Sequence, residues 1–235
     1  MLFRSPSVSY KIVMNDESEV IISNPGELPD LTYVNHIEEP WVKVEILVPK
    51  DKVGSIMTLC QENRGVHKNL QYIDQSRSII TFEMPLASIV VDFYDQLKSV
   101  SSGYASMNYE YLDYRREDLV KLDIMVAGET VDALSIMLHR SEAFYRGSAV
   151  VKKLKTLIPK AQFEIALQAS IGSKIIARET ISAMRKDVTA KLYGGDRTRK
   201  DKLLKKQKAG KKRMKMMGRV AMPQEAFMSI LKKDA

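Results

Sequence analysis

The sequence predicts an α+β protein with two folded units and a basic tail. Three observations carry that expectation. Apolar residues alternate with period two in several short stretches, and helical runs interleave with them. Charge divides unevenly: residues 1–120 hold 11 Lys and Arg against 18 Asp and Glu, while residues 121–235 hold 26 against 11. Between Arg185 and Arg219 stand 15 Lys and Arg and three acids (Asp187, Asp196 and Asp201), a net of +12 in 35 residues. So much like charge folds poorly by itself and calls for a polyanion.

At 235 residues and 45 % hydrophobic content, the chain has room for one or two domains with real cores. Cys60 is the single cysteine, which excludes a disulfide framework and points to a reducing compartment. No apolar run approaches the ~18–20 residues of a membrane span. The start, Met1-Leu-Phe-Arg-Ser5, lacks the apolar core of a signal peptide.

Residues 8–22 read as two short strands, Val8–Met14 and Glu19–Ile22, around Asn15-Asp16-Glu17-Ser18. Two strands are too few to stand alone, so residues 1–24 are expected to be the remnant of a preceding domain. Asn24-Pro-Gly-Glu-Leu-Pro-Asp30 is linker chemistry, and the linker is expected over 25–38.

The first domain is expected over 39–117. Val42, Val44, Ile46 and Val48 alternate with Lys43, Glu45 and Leu47, so this is a strand with one apolar face, ended by Pro49. Val53, Ile56, Met57 and Cys60 follow helical spacing up to Asn63-Arg64-Gly65. His67–Ile73 and Ser78–Met84 are strands joined by a turn. Leu86, Ile89, Val90, Phe93 and Leu97 mark a second helix closed near Gly103, and Tyr104–Tyr114 is the last strand. The order β-α-β-β-α-β is the ferredoxin-like arrangement, two helices on one face of an antiparallel sheet.

A second core is expected over 118–195. Val120, Leu122, Ile124 and Val126 alternate, and Thr130–Leu138 returns as a hairpin. His139–Gly147 reads as polar and irregular. Ser148 then caps a helix with Val150, Val151, Leu154, Leu157 and Ile158 on one face, ended by Pro159. Phe163, Ile165, Leu167, Ala169 and Ile171 form a strand that turns at Gly172-Ser173 into Lys174–Arg178. Ile181, Met184, Val188 and Leu192 suggest a further helix, stopped at Gly194-Gly195. These elements suit a small sheet or barrel around a helix.

The basic tract and a terminal element occupy 196–235. Leu203, Gln207, Gly210, Met214 and Met217 make a narrow helical stripe. Three such apolar side chains offer roughly 5 kcal/mol of burial, against about 1–2 kcal/mol per residue to order some twenty backbones. Disorder or a loosely held helix is therefore expected.

Signals for chemistry are weak. There is no Gly-x4-Gly-Lys-Ser/Thr phosphate loop, and Asp51-Lys-Val-Gly54 is a short chance match across a helix start. His36, His67 and His139 share no metal-ligand spacing, and one cysteine cannot build a zinc site. Ser101-Ser102-Gly103 reads as a helix C-cap rather than a phosphate cradle. Tyr104, Tyr109, Tyr111 and Tyr114 could stack bases, but core or interface packing is the simpler reading. Isolated pairs such as Arg115-Arg116 usually belong to a solvated surface. The long basic tract exceeds any ordinary solvated face.

The tract also carries a resemblance. Gly194-Gly195-Asp196-Arg-Thr-Arg-Lys-Asp-Lys-Leu-Leu-Lys-Lys-Gln-Lys-Ala-Gly-Lys-Lys-Arg-Met-Lys215, followed by Pro223-Gln-Glu-Ala-Phe227, resembles the carboxyl end of the LepA family, also called elongation factor 4. Asp132-Ala-Leu134, His139-Arg140, Arg146-Gly147, Ile158-Pro159, Gln162-Phe163 and Ile175-Ile-Ala-Arg-Glu-Thr180 extend it. Arg64-Gly65-Val66 and Ser102-Gly-Tyr-Ala-Ser106 resemble the ferredoxin-like domain shared with elongation factor G, its fifth domain. The resemblance runs from about Ser5 to Ala235, and Met1-Leu-Phe-Arg4 departs from it, which suggests a truncated or misassembled start.

That resemblance implies a LepA-type carboxyl-terminal domain after the ferredoxin-like one. It implies a monomeric, cytoplasmic, ribosome-associated translational GTPase, with an organellar matrix as the alternative setting. Its implied partners are large-subunit RNA near the GTPase-associated region and the acceptor arm of A-site tRNA, in back-translocation, fidelity or initiation. GTP and magnesium belong to a domain upstream in the family, so no cofactor and no activity are expected of these residues alone. The RNA-contacting residues are expected to be Arg140, Arg146, Lys191, Arg197, Arg199, Lys200, Lys202, Lys205, Lys206, Lys208, Lys211, Lys212, Arg213 and Lys215. Two other classes compete: a ferredoxin-like small-molecule sensor with a cleft between Val42–Val48 and the helices, and a polybasic binder of anionic membrane at the inner face of the cell membrane.

Overall fold

The computed structural model describes residues 8–184, 188–189, 197–217, 220, 222–223 and 225, and the backbone alone at 215–217. The chain divides into two compact units between Leu119 and Val120.

The first unit runs β1 (Tyr10–Met14), β2 (Glu19–Ile22), β3 (Val34–Pro49), α1 (Val53–Glu62), β4 (Val66–Tyr72), β5 (Arg77–Pro85), α2 (Leu86–Val90), α3 (Phe93–Val100) and β6 (Ser106–Glu117). All its pairings are antiparallel. β6 follows one edge of β3 from Ile37↔Glu117 to Leu47↔Ser106. The other edge is shared: β1 pairs with the start of β3, and β5 pairs from Trp41↔Pro85 to Pro49↔Arg77. β4 lies outside β5 and β2 outside β1. Val42, Val44, Ile46 and Val48 bury against Ile56, Leu59 and Cys60 of α1, Ile89 of α2, and Phe93 and Leu97 of α3. The β-α-β-β-α-β order is thus present.

Three details differ from the sequence reading. The first strand begins at Val34, not Trp41, so 34–38 is strand rather than linker. Ladders on both edges capture it there. Lys11 pairs with Glu38 at 3.4 Å, and His36 Nε2 lies 3.2 Å from Glu38, so polar residues that resemble a linker find partners within a sheet. Strands β1 and β2 belong to this same sheet. The second helix is broken: Val91 is extended and Asp92 is left-handed at φ 57°. The β-branched run Ile89-Val90-Val91 favours extension, and Asp tolerates the left-handed region better than most residues.

The end of α1 is built for Arg64-Gly65. Gly65 N–H donates to Cys60 O at 2.8 Å, and Arg64 sits at φ 65°. A Cβ on Gly65 would stand 2.7 Å from that carbonyl oxygen.

The second unit runs β7 (Leu119–Val126), β8 (Glu129–Thr130), β9 (Ile136–His139), α4 (Arg140–Leu157), β10 (Ile165–Ile171), β11 (Lys174–Ile181) and α5 (Arg197–Met217). The sheet order is β11-β10-β7-β8, with β9 also paired to β7. Val150, Val151 and Leu154 of α4, with Ile158, pack on Leu122, Ile124, Ile165 and Leu167. The expected hairpin is a short β8, a helical turn at Asp132–Leu134, and β9.

The stretch 139–147 is helical, not irregular. α4 starts at Arg140, and the His139 ring accepts a hydrogen bond from Ser141 N–H as its N-cap. The buried face of this first half is Ala143 and Gly147, too small to show as an apolar stripe. A Cβ on Gly147 would lie 3.1 Å from Ala169 Cβ, so the glycine lets α4 approach β10 closely. The helix expected from Ile181 to Leu192 is replaced at its start, where Ile181 ends β11. Residues 185–187 and 190–196 lie outside the described residues, as does most of the terminal Pro223–Leu231 element. Val220 and Met222 pack against the second core. The whole is α+β with antiparallel sheets.

Candidate nucleic-acid interface

α5 gathers eleven of the fourteen predicted cations on one element. Of its 21 residues, 11 are Lys or Arg and one, Asp201, is acidic. It is helical because its residues favour helix: only Thr198, Asp201 and Gly210 are weak formers. Of the two expectations, disorder or a loosely held helix, the helix is the one present. Electrostatics opposes it. Lys202–Lys206, Lys208–Lys212 and Lys211–Lys215 are like-charge pairs one turn apart, each costing about 0.2–0.5 kcal/mol. Arg197 and Arg199 also stand at the amino end, and no acid offsets them in the first turn. A polyanion would relieve both costs.

The helix is seated along one stripe. Lys200, Leu203, Gln207, Gly210 and Lys211 are half-buried, recurring every three or four positions. Lys211 Nζ donates to Met184 O at 2.8 Å, and Met184 N–H donates to Ala161 O at 2.7 Å. These two bonds link α5 to the loop after α4. Arg197, Arg199, Lys202, Lys205, Lys206, Lys208, Lys212 and Arg213 are exposed around the rest of the helix. Lys191 lies outside the described residues, and Lys215 is placed by its backbone alone.

Two predicted contacts lie on α4. Arg140 is exposed in its first turn, and Arg146 is half-buried less than two turns on. Lys155 on the same helix is committed elsewhere: it donates to Glu179 at 2.8 Å, and that bond holds the Glu179 carboxyl below its ordinary range.

Sequence reasoning missed Phe144 and Tyr145. They are 57 % and 77 % exposed on α4, with ring centroids 5.7 Å apart at 80°. Two adjacent aromatics in the polar run Arg140–Arg146 were the available signal. The four tyrosines of 104–114 are not core residues. Tyr104, Tyr109 and Tyr111 are exposed, the last two on the edge strand β6. Arg115 is not open for a phosphate: it pairs with Glu83 at 2.7 Å and Asp113 at 2.8 Å and covers the Trp41 ring.

The other candidates fall to packing. The face Val42–Val48, where a sensor's cleft was expected, is filled by Phe82, Phe93 and Leu97. Asp51-Lys-Val-Gly54 spans a helical turn and the start of α1. Ser101 N–H donates to Leu97 O, as a C-cap does. Among the described residues, no helix is long and apolar enough to cross a membrane.

Residues 126–232 match the family described as GTP-binding protein LepA C-terminus, and residues 36–125 match Elongation factor G C-terminus. The chain is therefore built from carboxyl-terminal modules of translation factors. Elongation factor 4 of Chlorobium limicola is 55 % identical over 229 residues, covering 97 % of this chain and 38 % of that protein. The Pelodictyon phaeoclathratiforme protein of that name is 57 % identical with the same coverage, and that of Shouchella clausii is 53 % identical over 234 residues. The chain belongs to the elongation factor 4 (LepA) family and spans 38–39 % of the length of these relatives.

Proposed function

We infer that this chain is the RNA-facing portion of an elongation factor 4 and works on the ribosome in the bacterial cytoplasm. Its second unit engages tRNA and large-subunit RNA through α5, and its acidic first unit is the spacer that carries it. The observation behind this reading is one helix with eight exposed cations and a single acid. Phosphate contacts would neutralise its internal repulsion, so binding and helix stability reinforce each other. The GTP binding named for the matched family is assigned to other parts of the longer relatives, because no phosphate loop occurs in these residues. The step served is back-translocation or a related step in fidelity or initiation.

The test is a titration of the chain onto ribosomes and onto tRNA across salt concentrations. About six phosphate contacts predict roughly a thousandfold loss of affinity between 50 and 200 mM salt. A flat response contradicts the reading. Competition between tRNA and anionic vesicles ranks the membrane alternative, and preference for the vesicles would overturn the RNA assignment.

A further inference from the structure

We propose that Phe144 and Tyr145 form a stacking site for one unpaired RNA base, set apart from the phosphate-binding helix. This rests on the RNA reading above and adds a second kind of contact to it. α4 buries its other large apolar residues, Val150, Val151 and Leu154, under the sheet. Its two largest side chains are instead exposed. Phe144 is 57 % and Tyr145 77 % exposed.

Helical spacing defines what surrounds them. Arg140 lies one turn before Phe144, and Lys152 lies two turns after Phe144 and Tyr145. Both cations are exposed. Ser148 and Ala149, one turn after the rings, are small. The exposed stripe therefore reads cation, two rings, two small residues, cation. Aromatic rings between cations are the elements from which proteins hold single-stranded nucleic acid: the rings take base faces and the cations follow the backbone.

The ring geometry limits how much is held. A run of stacked bases needs parallel surfaces. These rings stand at 80° with centroids 5.7 Å apart, so they form a corner. A corner takes one base, its face on one ring and its edge against the other. Charge selects RNA over a protein partner: residues 120–230 carry 24 Lys and Arg against ten Asp and Glu. Paired bases hide their faces in the duplex, so the site distinguishes an unpaired or extruded nucleotide from a helix.

The experiment uses the whole chain and two RNAs of equal phosphate count. One is a single-stranded oligouridylate carrying one 2-aminopurine, and the other is a blunt-ended duplex. The protein should quench the 2-aminopurine and prefer the single strand by about tenfold, the range expected for one base–aromatic contact. The F144A/Y145A variant should lose quenching and preference while keeping its salt slope and melting temperature, since neither side chain is buried. Y145F should retain the wild-type preference. If the double variant still quenches and still prefers the single strand, with its salt slope intact, the stacking site is wrong and the phosphate reading survives. A flat salt response with both RNAs overturns the phosphate reading and this site with it. A double variant that loses ribosome binding but keeps oligonucleotide binding assigns the pair to a protein contact and overturns the proposal.

Discussion

Arg64 reaches back from the end of α1 to the carboxylate of Glu39, which is 1 % exposed, and its guanidinium also lies 3.2 Å from Glu117 at the end of β6. One side chain thus ties β3, the α1–β4 connection and β6 together. Removing it takes the Arg64 cation away from a buried carboxylate. Arg64→Ala should destabilise the first unit by about 3–5 kcal/mol. Urea unfolding measures this, and a change under about 1 kcal/mol would show that water or another group compensates.

Two glycines should respond in opposite directions. Gly65→Ala drives a Cβ to 2.7 Å from a backbone oxygen, so the chain must shift. A loss of about 1–3 kcal/mol is expected by thermal unfolding. Gly210 lies inside α5 with nothing within 4 Å of an added Cβ. Gly210→Ala should raise helicity by circular dichroism, worth about 0.5–1 kcal/mol to the helix. A fall in helicity would mean that α5 is not a continuous helix in solution.

Acid should act through the carboxylates of the β4–β5 hairpin. Asp74 accepts hydrogen bonds from the Ser76 hydroxyl, the Ser76 and Arg77 amides and the Arg77 guanidinium, which hold it well below the ordinary carboxylate range. Burial raises the Glu83 carboxyl, but Arg115 and Lys68 outweigh that and leave it lowered. For a depressed carboxylate, stability is fully present above the unfolded value and lost as pH falls through the folded one. Stability should therefore be level from pH 7 to about 5 on this account and fall below about 4. The double variant D74N/E83Q should lose stability at pH 7 and show a shallower acid fall. An unchanged acid fall would place the sensitive groups elsewhere.

Cys60 is fully buried in the first core, and burial pushes its thiol up to about 12. It should resist a thiol reagent at pH 8 in the folded chain and react at once in urea, as mass spectrometry would show. Fast labelling of the native protein would mean that α1 opens readily.

The regular parts of this fold were legible because pattern and packing agree there. Val42 to Val48 alternate in sequence and bury alternately on the sheet. The start of β3 was not legible, because Asn35, His36, Glu38 and Glu39 are strand only through partners on β1, β6 and Arg64. The first half of α4 was hidden for a different reason: its buried face is Ala143 and Gly147, while its aromatics face solvent. The cations of α5 were readable one by one. Their gathering on a single helix follows from helix propensity.

The central claim is that α5 binds RNA through phosphate contacts and does little for the fold. Among its described side chains none is fully buried, and Lys211 donates a hydrogen bond to Met184 O after β11. The most direct measurement compares the wild type with a variant in which Lys202, Lys205, Lys206, Lys208, Lys212 and Arg213 are all Gln. Melting temperature and the salt dependence of tRNA affinity are read together. The account predicts unchanged melting of both units and a log–log salt slope shallower by about 0.7–0.9 for each phosphate no longer neutralised. An unchanged slope, or the collapse of the second unit, would contradict it.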